Sequence, residues 1–254
     1  MKHFKRICRI ALILAFWIGV WWIAAWRVGK PLLFPSPLSV LERLWDLMQT
    51  KDFYLITANS LFSVLKGILI AVIGGSVLSV ITSRISLLRE AVLPLMTVVK
   101  ATPVASFIIL ALIWIGAVKV PTFITVLIVL PVVWTNLDEG FLRIDPQLNE
   151  VTKVYKMTFP RRLRVLILPS LKPYFVSACR TSMGLAWKAG IAAEIIAMPR
   201  DSIGTMIGDA KQYIETVDMF AWTLTVIVLS LVIELLFAAL FKKRDRNVSR
   251  KEVA

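Results

Sequence analysis

The stretch DPQLNEVTKVYKMTFPRRLRVLILPSLKP, residues 145–173, is a basic island between long apolar segments of the chain. Asp145 is a favourable N-cap, because its carboxylate can accept a hydrogen bond from a free backbone amide of the first helical turn. Pro146 suits the first helical position, where its missing N–H leaves no hydrogen bond unmade. The pattern therefore predicts a short helix that begins here and lies outside the apolar segments.

The island as a whole predicts two short helices joined at a bend. Apolar residues at i, i+3 and i+7 give the first helix an apolar face, formed by Leu148, Val151 and Tyr155. Phe159-Pro160 predicts the end of this helix, and residues 161–168 form a second segment that ends at Pro169. Such a pair can dock into a groove on a soluble protein, or it can rest on lipid headgroups. Both interpretations remain open on these residues alone.

Composition places the chain in the membrane. Of its 254 residues, 58% are hydrophobic and nine are Trp, and the mean hydropathy is +0.77, which is far from soluble averages. A bilayer core needs about 20 apolar residues per helix, and six runs are long enough. These runs are 7–26, 61–82, 91–115, 121–140, 171–198 and 219–241. Because they are continuous rather than alternating, they exclude a β-barrel, and we predict an all-α integral membrane protein with about six transmembrane helices.

The distribution of basic residues predicts the topology. With a cytoplasmic N-terminus, 19 Lys and Arg residues lie in the cytoplasmic segments 1–10, 83–90, 141–172 and 242–254. Seven lie in the external segments 27–60, 116–120 and 198–218. Because positively charged loops stay inside, both termini are expected in the cytoplasm. The net charge of +14 is interpreted in the same way, as orientation and contact with anionic lipid headgroups rather than nucleic-acid binding.

The chain divides into three parts. Residues 1–56 hold a cytoplasmic tip, a first span that we expect to be a retained anchor, and an amphipathic external helix over 38–50. Residues 57–241 hold the other five predicted spans, with the basic loop 141–170 between the fourth and the fifth. Residues 242–254 form a basic cytoplasmic tail.

Enzymatic chemistry has no sequence support. The chain lacks the Gly-x-x-x-x-Gly-Lys-Ser/Thr phosphate loop, so it is not expected to hydrolyse ATP itself. It also lacks a His–Ser pair, paired Asp residues in adjacent spans and a cluster of metal ligands. Cys8 and Cys179 are isolated and show no ligand spacing, so no metal is expected.

Ionisable residues inside predicted spans are candidates for a translocation pathway or a dimer seam, because buried charge in a membrane is costly. Arg180, Trp187 and Glu194 are seven residues apart and share a helical face, with Lys188 beside them. The alternative is an interhelical ion pair that only fixes packing. Lys100 is a further candidate, and its alternative is to extend its amine to the cytoplasmic headgroups.

From Glu150 to Pro169 the chain resembles the EAA motif of type I ABC importer permeases. The matching residues are Glu150 and, at the family's distance, Leu166-Ile167-Leu168-Pro169. The departures are Val151 and Thr152 in place of alanines, and Lys156 in place of a glycine. A lysine tolerates left-handed geometry poorly, so we expect the bend to shift toward Phe159-Pro160. The resemblance implies contact with an ATPase through Glu150, Val151, Thr152, Val154, Tyr155, Lys156, Leu168 and Pro169.

Further stretches resemble the nitrate, sulfonate and taurine branch of these permeases. They are Phe34-Pro35-Ser36-Pro37, Asn59-Ser60-Leu61, Thr102-Pro103, Ile113-Trp114-Ile115-Gly116, Leu168-Pro169-Ser170, Ala186-Trp187 with Ala193-Glu194, and Ile203-Gly204. The resemblance implies a bacterial cell-membrane permease with the type I importer fold, in a homodimer or heterodimer. It also implies two cytoplasmic ATPase subunits, which use ATP and Mg²⁺, and an external solute-binding protein. Two alternatives remain, the membrane-coupling subunit of an energy-coupling-factor transporter and a passive channel.

Overall fold

The computed structural model describes the backbone of residues 2–249 and the side chains of Arg9, residues 11–237 and Ala239. The side chain of Cys8 and those of the predicted tail 242–254 lie outside the described residues. Within residues 2–249 every regular element is helical and no strand occurs. The prediction of an all-α protein is therefore confirmed.

Eleven α-helices follow one another along the described residues. They are α1 (Lys2–Val28), α2 (Pro37–Met48), α3 (Lys51–Thr82), α4 (Ser86–Ala101), α5 (Val104–Ile115), α6 (Val120–Leu142), α7 (Pro146–Val154), α8 (Phe159–Arg162), α9 (Leu168–Ala197), α10 (Ile203–Gln212) and α11 (Thr216–Ser249). A 3₁₀ turn, Ala117–Lys119, precedes α6, and a π-helical turn, Leu163–Ile167, precedes α9.

Four segments are long and apolar enough to cross a membrane, and they lie in α1, α3, α6 with its 3₁₀ turn, and α11. The consecutive helices α4 and α5 make a fifth if they count as one span, but they bend by 102°. The span predicted over 91–115 is therefore broken between Ala101 and Val104. Thr102 is extended because the residue before a proline is pushed out of the helical region, and Pro103 has no N–H to continue the helix.

The fifth predicted span, residues 171–198, corresponds to α9. This helix has 30 residues, which is long enough to cross, but it carries four charged residues and does not qualify on composition. It lies against α3, α5, α6, α10 and α11, and its contact with α6 is the most extensive between any two described helices. Because its neighbours cover much of it, α9 needs less apolar surface than a helix that faces lipid.

Close backbone approach holds α3, α6 and α9 together. A Cβ on Gly67 of α3 would lie 2.6 Å from the Thr125 Cβ of α6. A Cβ on Gly190 of α9 would lie 2.5 Å from the Val64 Cγ2 of α3. Small residues at such contacts are typical of membrane helix packing, which depends on van der Waals contact. These three helices therefore form the centre of the bundle.

The amphipathic helix predicted over 38–50 is confirmed as α2. The Ser36 hydroxyl caps it by accepting from the Ser39 amide, and Pro37 occupies the first turn. Arg43 joins α2 to α11 through two hydrogen bonds to the Asp218 carboxylate, at 2.6 and 2.7 Å. Those bonds raise the pKa of the Arg43 guanidinium above its ordinary value.

Candidate functional site

Helix α7 begins as the sequence predicts. The Gln147 amide donates to the Asp145 carboxylate at 2.8 Å, and Pro146 is the first helical residue. The helix ends at Val154, however, and not at Phe159-Pro160. The predicted end is therefore wrong by about one turn.

The bend after α7 is centred on Lys156, whose φ is +46°. The Lys156 amide donates to the Lys153 carbonyl at 2.9 Å, and the Met157 amide donates to the Thr152 carbonyl at 3.0 Å. This hydrogen-bond pattern is the Schellman motif, which ends helices and favours glycine at the left-handed position. The expectation that the lysine moves the bend to Phe159-Pro160 is wrong, because the two bonds offset a left-handed cost of about 1–2 kcal/mol.

The second segment of the island merges into α9. Helix α8 has four residues and continues through the π-helical turn, in which the Leu168 amide donates to the Leu163 carbonyl. Pro169 therefore lies in the first turn of α9 and does not end a helix, since proline is tolerated where an amide has no intrahelical partner. Leu166 is buried, whereas Leu168 and Pro169 are exposed.

The predicted coupling residues of α7 divide into a buried side and an exposed side. Thr152 is 6% exposed, and its hydroxyl donates to the Asn149 carbonyl at 2.7 Å. The Arg162 guanidinium donates to the Asn149 amide oxygen at 2.5 Å and so ties α8 to α7. The opposite side of α7 is exposed, and it presents Leu148, Glu150, Val151, Val154 and Tyr155, with Lys156 following.

The loop also contacts the membrane-side helices. The Arg84 guanidinium, in the turn between α3 and α4, lies over the Phe159 ring at 5.2 Å from its centroid. Arg89 of α4 donates to both oxygens of the Asp138 carboxylate of α6. The start of α4 is thereby attached both to the loop and to the central bundle.

The charged residues predicted on α9 separate into exposed and buried groups. Arg180 and Lys188 are exposed, and Lys188 lies on an exposed stripe with Ser177, Thr181 and Gly184. These four stripe residues are spaced by four, three and four positions, so they share one face of the helix. Arg180 lies at the edge of that face. Two cations on a membrane helix must face water or protein rather than lipid.

The other predicted pathway residues have partners. Trp187 is buried, and its indole N–H donates to the Val226 carbonyl of α11 at 3.0 Å. Lys100, at the end of α4, donates to the Thr135 hydroxyl of α6 at 2.6 Å. Glu194 is 1% exposed and accepts from a hydroxyl and a backbone amide. The ion-pair alternative is therefore wrong for Glu194, although this residue does fix packing.

Glu194 belongs to a buried hydrogen-bond cluster, formed with Ser60, Ile203 and Gly204, that the sequence analysis did not predict. The Ser60 hydroxyl of α3 donates to Glu194 Oε2 at 2.8 Å, and the Gly204 amide of α10 donates to the same oxygen at 3.0 Å. The Ile203 amide donates to the Ser60 hydroxyl at 2.9 Å. Three separate family-like motifs, Asn59-Ser60, Ala193-Glu194 and Ile203-Gly204, thus meet at one place. Their joint occurrence was the available signal.

A metal site is not formed by the described side chains, since no group of three or more His, Cys, Asp or Glu residues comes together among them.

Comparisons with known proteins show what this chain is similar to. Residues 52–246 match the family described as "Binding-protein-dependent transport system inner membrane component". The chain is 24% identical over 238 residues to the taurine transport system permease protein TauC of Escherichia coli K12, covering 91% of this chain and 86% of that protein. It is 22% identical over 219 residues to the putative aliphatic sulfonates transport permease protein SsuC of Bacillus subtilis 168, covering 85% and 78%. A crystal structure of an amino acid ABC transporter superposes with a TM-score of 0.61 at 18% identity, covering 80% of this chain and 97% of that one, which shows a shared fold.

Proposed function

The chain belongs to the family of binding-protein-dependent transport system inner membrane components, and on that premise we propose that it is the permease of an ATP-driven importer. Two copies of the chain form the translocation pathway. Two cytoplasmic ATPase subunits bind the coupling loop, residues 141–170, and an external solute-binding protein delivers the cargo. The family is one of transport permeases rather than enzymes, so ATP and Mg²⁺ belong to the partner.

The observation that carries this proposal is the exposed apolar face of α7. Val154 is 79% exposed and Tyr155 is 73% exposed, and Leu148 and Val151 extend the same surface. The helix lies outside the segments that can cross a membrane. An apolar helical face held in a fixed conformation, with basic residues around it, is the form that a groove on a partner protein recognises.

Movement can pass from this face to the bundle through two connections. The first is continuous chain, because α7 leads through α8 and the π-helical turn into α9. The second is the contact of Arg84 with Phe159, which leads to α4. Closure of the ATPase pair would move α7 and so shift the permease between outward and inward access. The ATPase can drive that shift only by binding the two states with different affinity.

The excess of Lys and Arg in segments 1–10, 83–90, 141–172 and 242–254 supports cytoplasmic termini. This orientation places α7 on the same side as the ATPase. It places α2 and α10 on the side from which a binding protein would approach.

Small anions are the cargo class that the charges of α9 support. Arg180 and Lys188 are exposed on α9, at the centre of the bundle, whereas Glu194 accepts hydrogen bonds in the buried cluster. Asp138 and Asp218 are paired with arginines. A pathway bordered by exposed cations favours a sulfonate or another small anion, the class named for the relatives TauC and SsuC. Lys100 would extend this pathway at the bend between α4 and α5. Trp187 and Glu194, which are buried, would support the surface that borders it.

Purification in mild detergent, with partner identification by mass spectrometry, tests the assembly. We expect two permease copies and two ATPase subunits, with the external binding protein recovered in substoichiometric amount. A chain recovered with lipid alone would contradict the proposal and favour a passive channel. Recovery of an ATPase with a small hydrophobic cargo-binding subunit would indicate the energy-coupling-factor class instead.

Glu150→Arg tests the coupling role within that assembly. The variant should fold and hydrolyse ATP while uptake falls, because a reversed charge on the exposed face misplaces the ATPase contact. Glu42→Arg is the matched control, because it reverses an exposed charge on α2, on the opposite side. Normal uptake with Glu150→Arg would exclude Glu150 from coupling.

A further inference from the structure

The first turn of α10 is held by two other helices and by its own cap. Its first amide, from Ile203, donates to the Ser60 hydroxyl of α3. Its second, from Gly204, donates to the Glu194 carboxylate of α9. Its third, from Thr205, donates to the local cap Ser202 at 3.2 Å. A helix start is normally satisfied by its own cap or by water, so two bonds to distant helices are a specific attachment.

This attachment is buried and closely packed. Ser60 is 0% exposed and Glu194 is 1% exposed. A Cβ on Gly204 would lie 2.2 Å from the Glu194 Cβ, so the backbone of α10 lies directly against the side chain of α9. The carboxylate also faces the positive end of the α10 dipole. In a low-dielectric interior such charge-assisted bonds are strong and costly to leave unmade.

The turn that connects α9 to α10 is held in the same rigid way. Met198 and Asp201 both have left-handed backbone conformations, with φ of +49° and +52°. The Asn59 side chain donates to the Asp201 carbonyl at 3.1 Å, and the hydroxyls of Ser202 and Thr205 donate to the Pro199 carbonyl. A left-handed non-glycine residue persists only where its surroundings determine the conformation.

The hydrogen-bond cluster around Glu194 lies at the opposite end of α9 from the coupling loop. Helix α9 runs from Leu168 to Ala197, about 45 Å at 1.5 Å per residue, with Pro173 in its second turn and Glu194 in its last. Its first turn follows the π-helical turn that joins it to α8. One continuous helix therefore connects the coupling loop to the external helix α10.

We propose that Glu194 and Ser60 are positioning residues that make α10 move together with α9 and α3, so that movement at the coupling loop reaches the external surface. This inference rests on the proposed function, because it assigns a transmission role to a contact within the same permease. Without these hydrogen bonds, α10 remains attached through its turn and through its packing against α9 and α11. The external surface then no longer follows the ATPase.

Double electron–electron resonance on the complex in nanodiscs tests the proposal. Spin labels at Lys211→Cys, on the exposed side of α10, report the distance between the two copies on the external side. Labels at Arg161→Cys, in α8, report the coupling loop. Both are introduced in a Cys8→Ser, Cys179→Ala background. Distances are measured without nucleotide and with ATP and vanadate.

Both label pairs should change distance with ATP and vanadate in the otherwise unmodified protein. Ser60→Ala and Glu194→Ala should reduce the change at position 211 by at least half and leave the change at 161 intact. Glu194→Gln should restore most of the response, because its amide oxygen can accept both hydrogen bonds. If Glu194→Ala does not fold, Ser60→Ala alone decides the outcome, since it deletes a single hydroxyl.

Ser182→Ala is the matched control. Ser182 is also a fully buried serine, on α9, but its hydroxyl has no hydrogen-bond partner among the described residues. Its removal should leave both distance changes intact. A full response at 211 in Ser60→Ala and Glu194→Ala would overturn the transmission role while the proposed function stands. No response at 161 in the unmodified protein would overturn both.

Discussion

Arg89 donates through its Nε to both carboxylate oxygens of Asp138, at 2.9 and 3.0 Å, and so joins α4 to α6. Asp138 is 5% exposed, whereas the next residue along the helix, Glu139, is exposed and pairs with the exposed Arg143. Two neighbouring carboxylates of the same helix therefore form ion pairs in different surroundings. The contrast provides a direct comparison of a buried pair and a surface pair.

We expect Asp138→Ala to lower the free energy of unfolding by about 2 kcal/mol, because it leaves a partly buried guanidinium without its partner. Glu139→Ala should change it by less than about 1 kcal/mol, as surface ion pairs contribute little. Thermal unfolding of the two variants in detergent measures the difference. Equal destabilisation would contradict a special role for the Arg89–Asp138 pair.

Gly67→Ala should destabilise the bundle, since the added Cβ would lie 2.6 Å from the Thr125 Cβ and 2.8 Å from the Thr122 carbonyl oxygen. Overpacking of this kind costs about 1–3 kcal/mol. Gly74→Ala, seven residues along the same helix, should be neutral or stabilising by up to about 1 kcal/mol, because its nearest neighbour is a Leu130 methyl at 3.6 Å. Unfolding midpoints in detergent test both. A tolerated Gly67→Ala would mean that α3 and α6 pack less closely.

Lys156→Gly should stabilise the coupling loop by about 1 kcal/mol, because glycine adopts a φ of +46° without a Cβ penalty. Lys153→Gly removes the same charge from the last turn of α7 and should destabilise the loop by up to about 1 kcal/mol, because glycine is a poor helix former. Hydrogen exchange of residues 146–157 measures the two changes. Loss of protection in Lys156→Gly would show that the lysine side chain, rather than the backbone, holds the bend.

Lys188→Gln should lower uptake of taurine or an alkanesulfonate at least tenfold in cells that import it, because it removes a cation from the exposed stripe of α9. Lys188→Arg should retain most of the uptake. Lys211→Gln removes an exposed lysine from α10 and serves as the control. Unchanged uptake in Lys188→Gln, with ATP hydrolysis still coupled, would remove Lys188 from the pathway without affecting the assignment as a permease.

Local signals in the sequence predicted the parts of the fold that depend on neighbouring residues. Asp145 and Pro146 define the start of α7 through capping alone, and that prediction is confirmed. The resemblance to importer permeases is confirmed by the family match over residues 52–246. The assignment of individual coupling residues such as Glu150 stays a prediction.

The differences arise at two local bends and at one contact between distant residues. Lys156 occupies a position that favours glycine, because hydrogen bonds to the preceding helix outweigh its own preference. Thr102-Pro103 turns a continuous apolar run into two helices at 102°. The contact of Ser60 with Glu194 joins residues 134 positions apart, which neither periodicity nor spacing can indicate.

Two exposed tyrosines allow the central claim to be tested within one chain. Tyr155 ends α7 and is 73% exposed, and Tyr213 ends α10 on the proposed external side and is 72% exposed. Each is replaced separately by the photo-crosslinking residue p-benzoylphenylalanine in cells that produce the whole transporter. Irradiation followed by mass spectrometry of the adducts should attach position 155, and not position 213, to the ATPase subunit. Attachment of the ATPase at 213, or its absence at 155 while the ATPase still copurifies, would contradict coupling through α7.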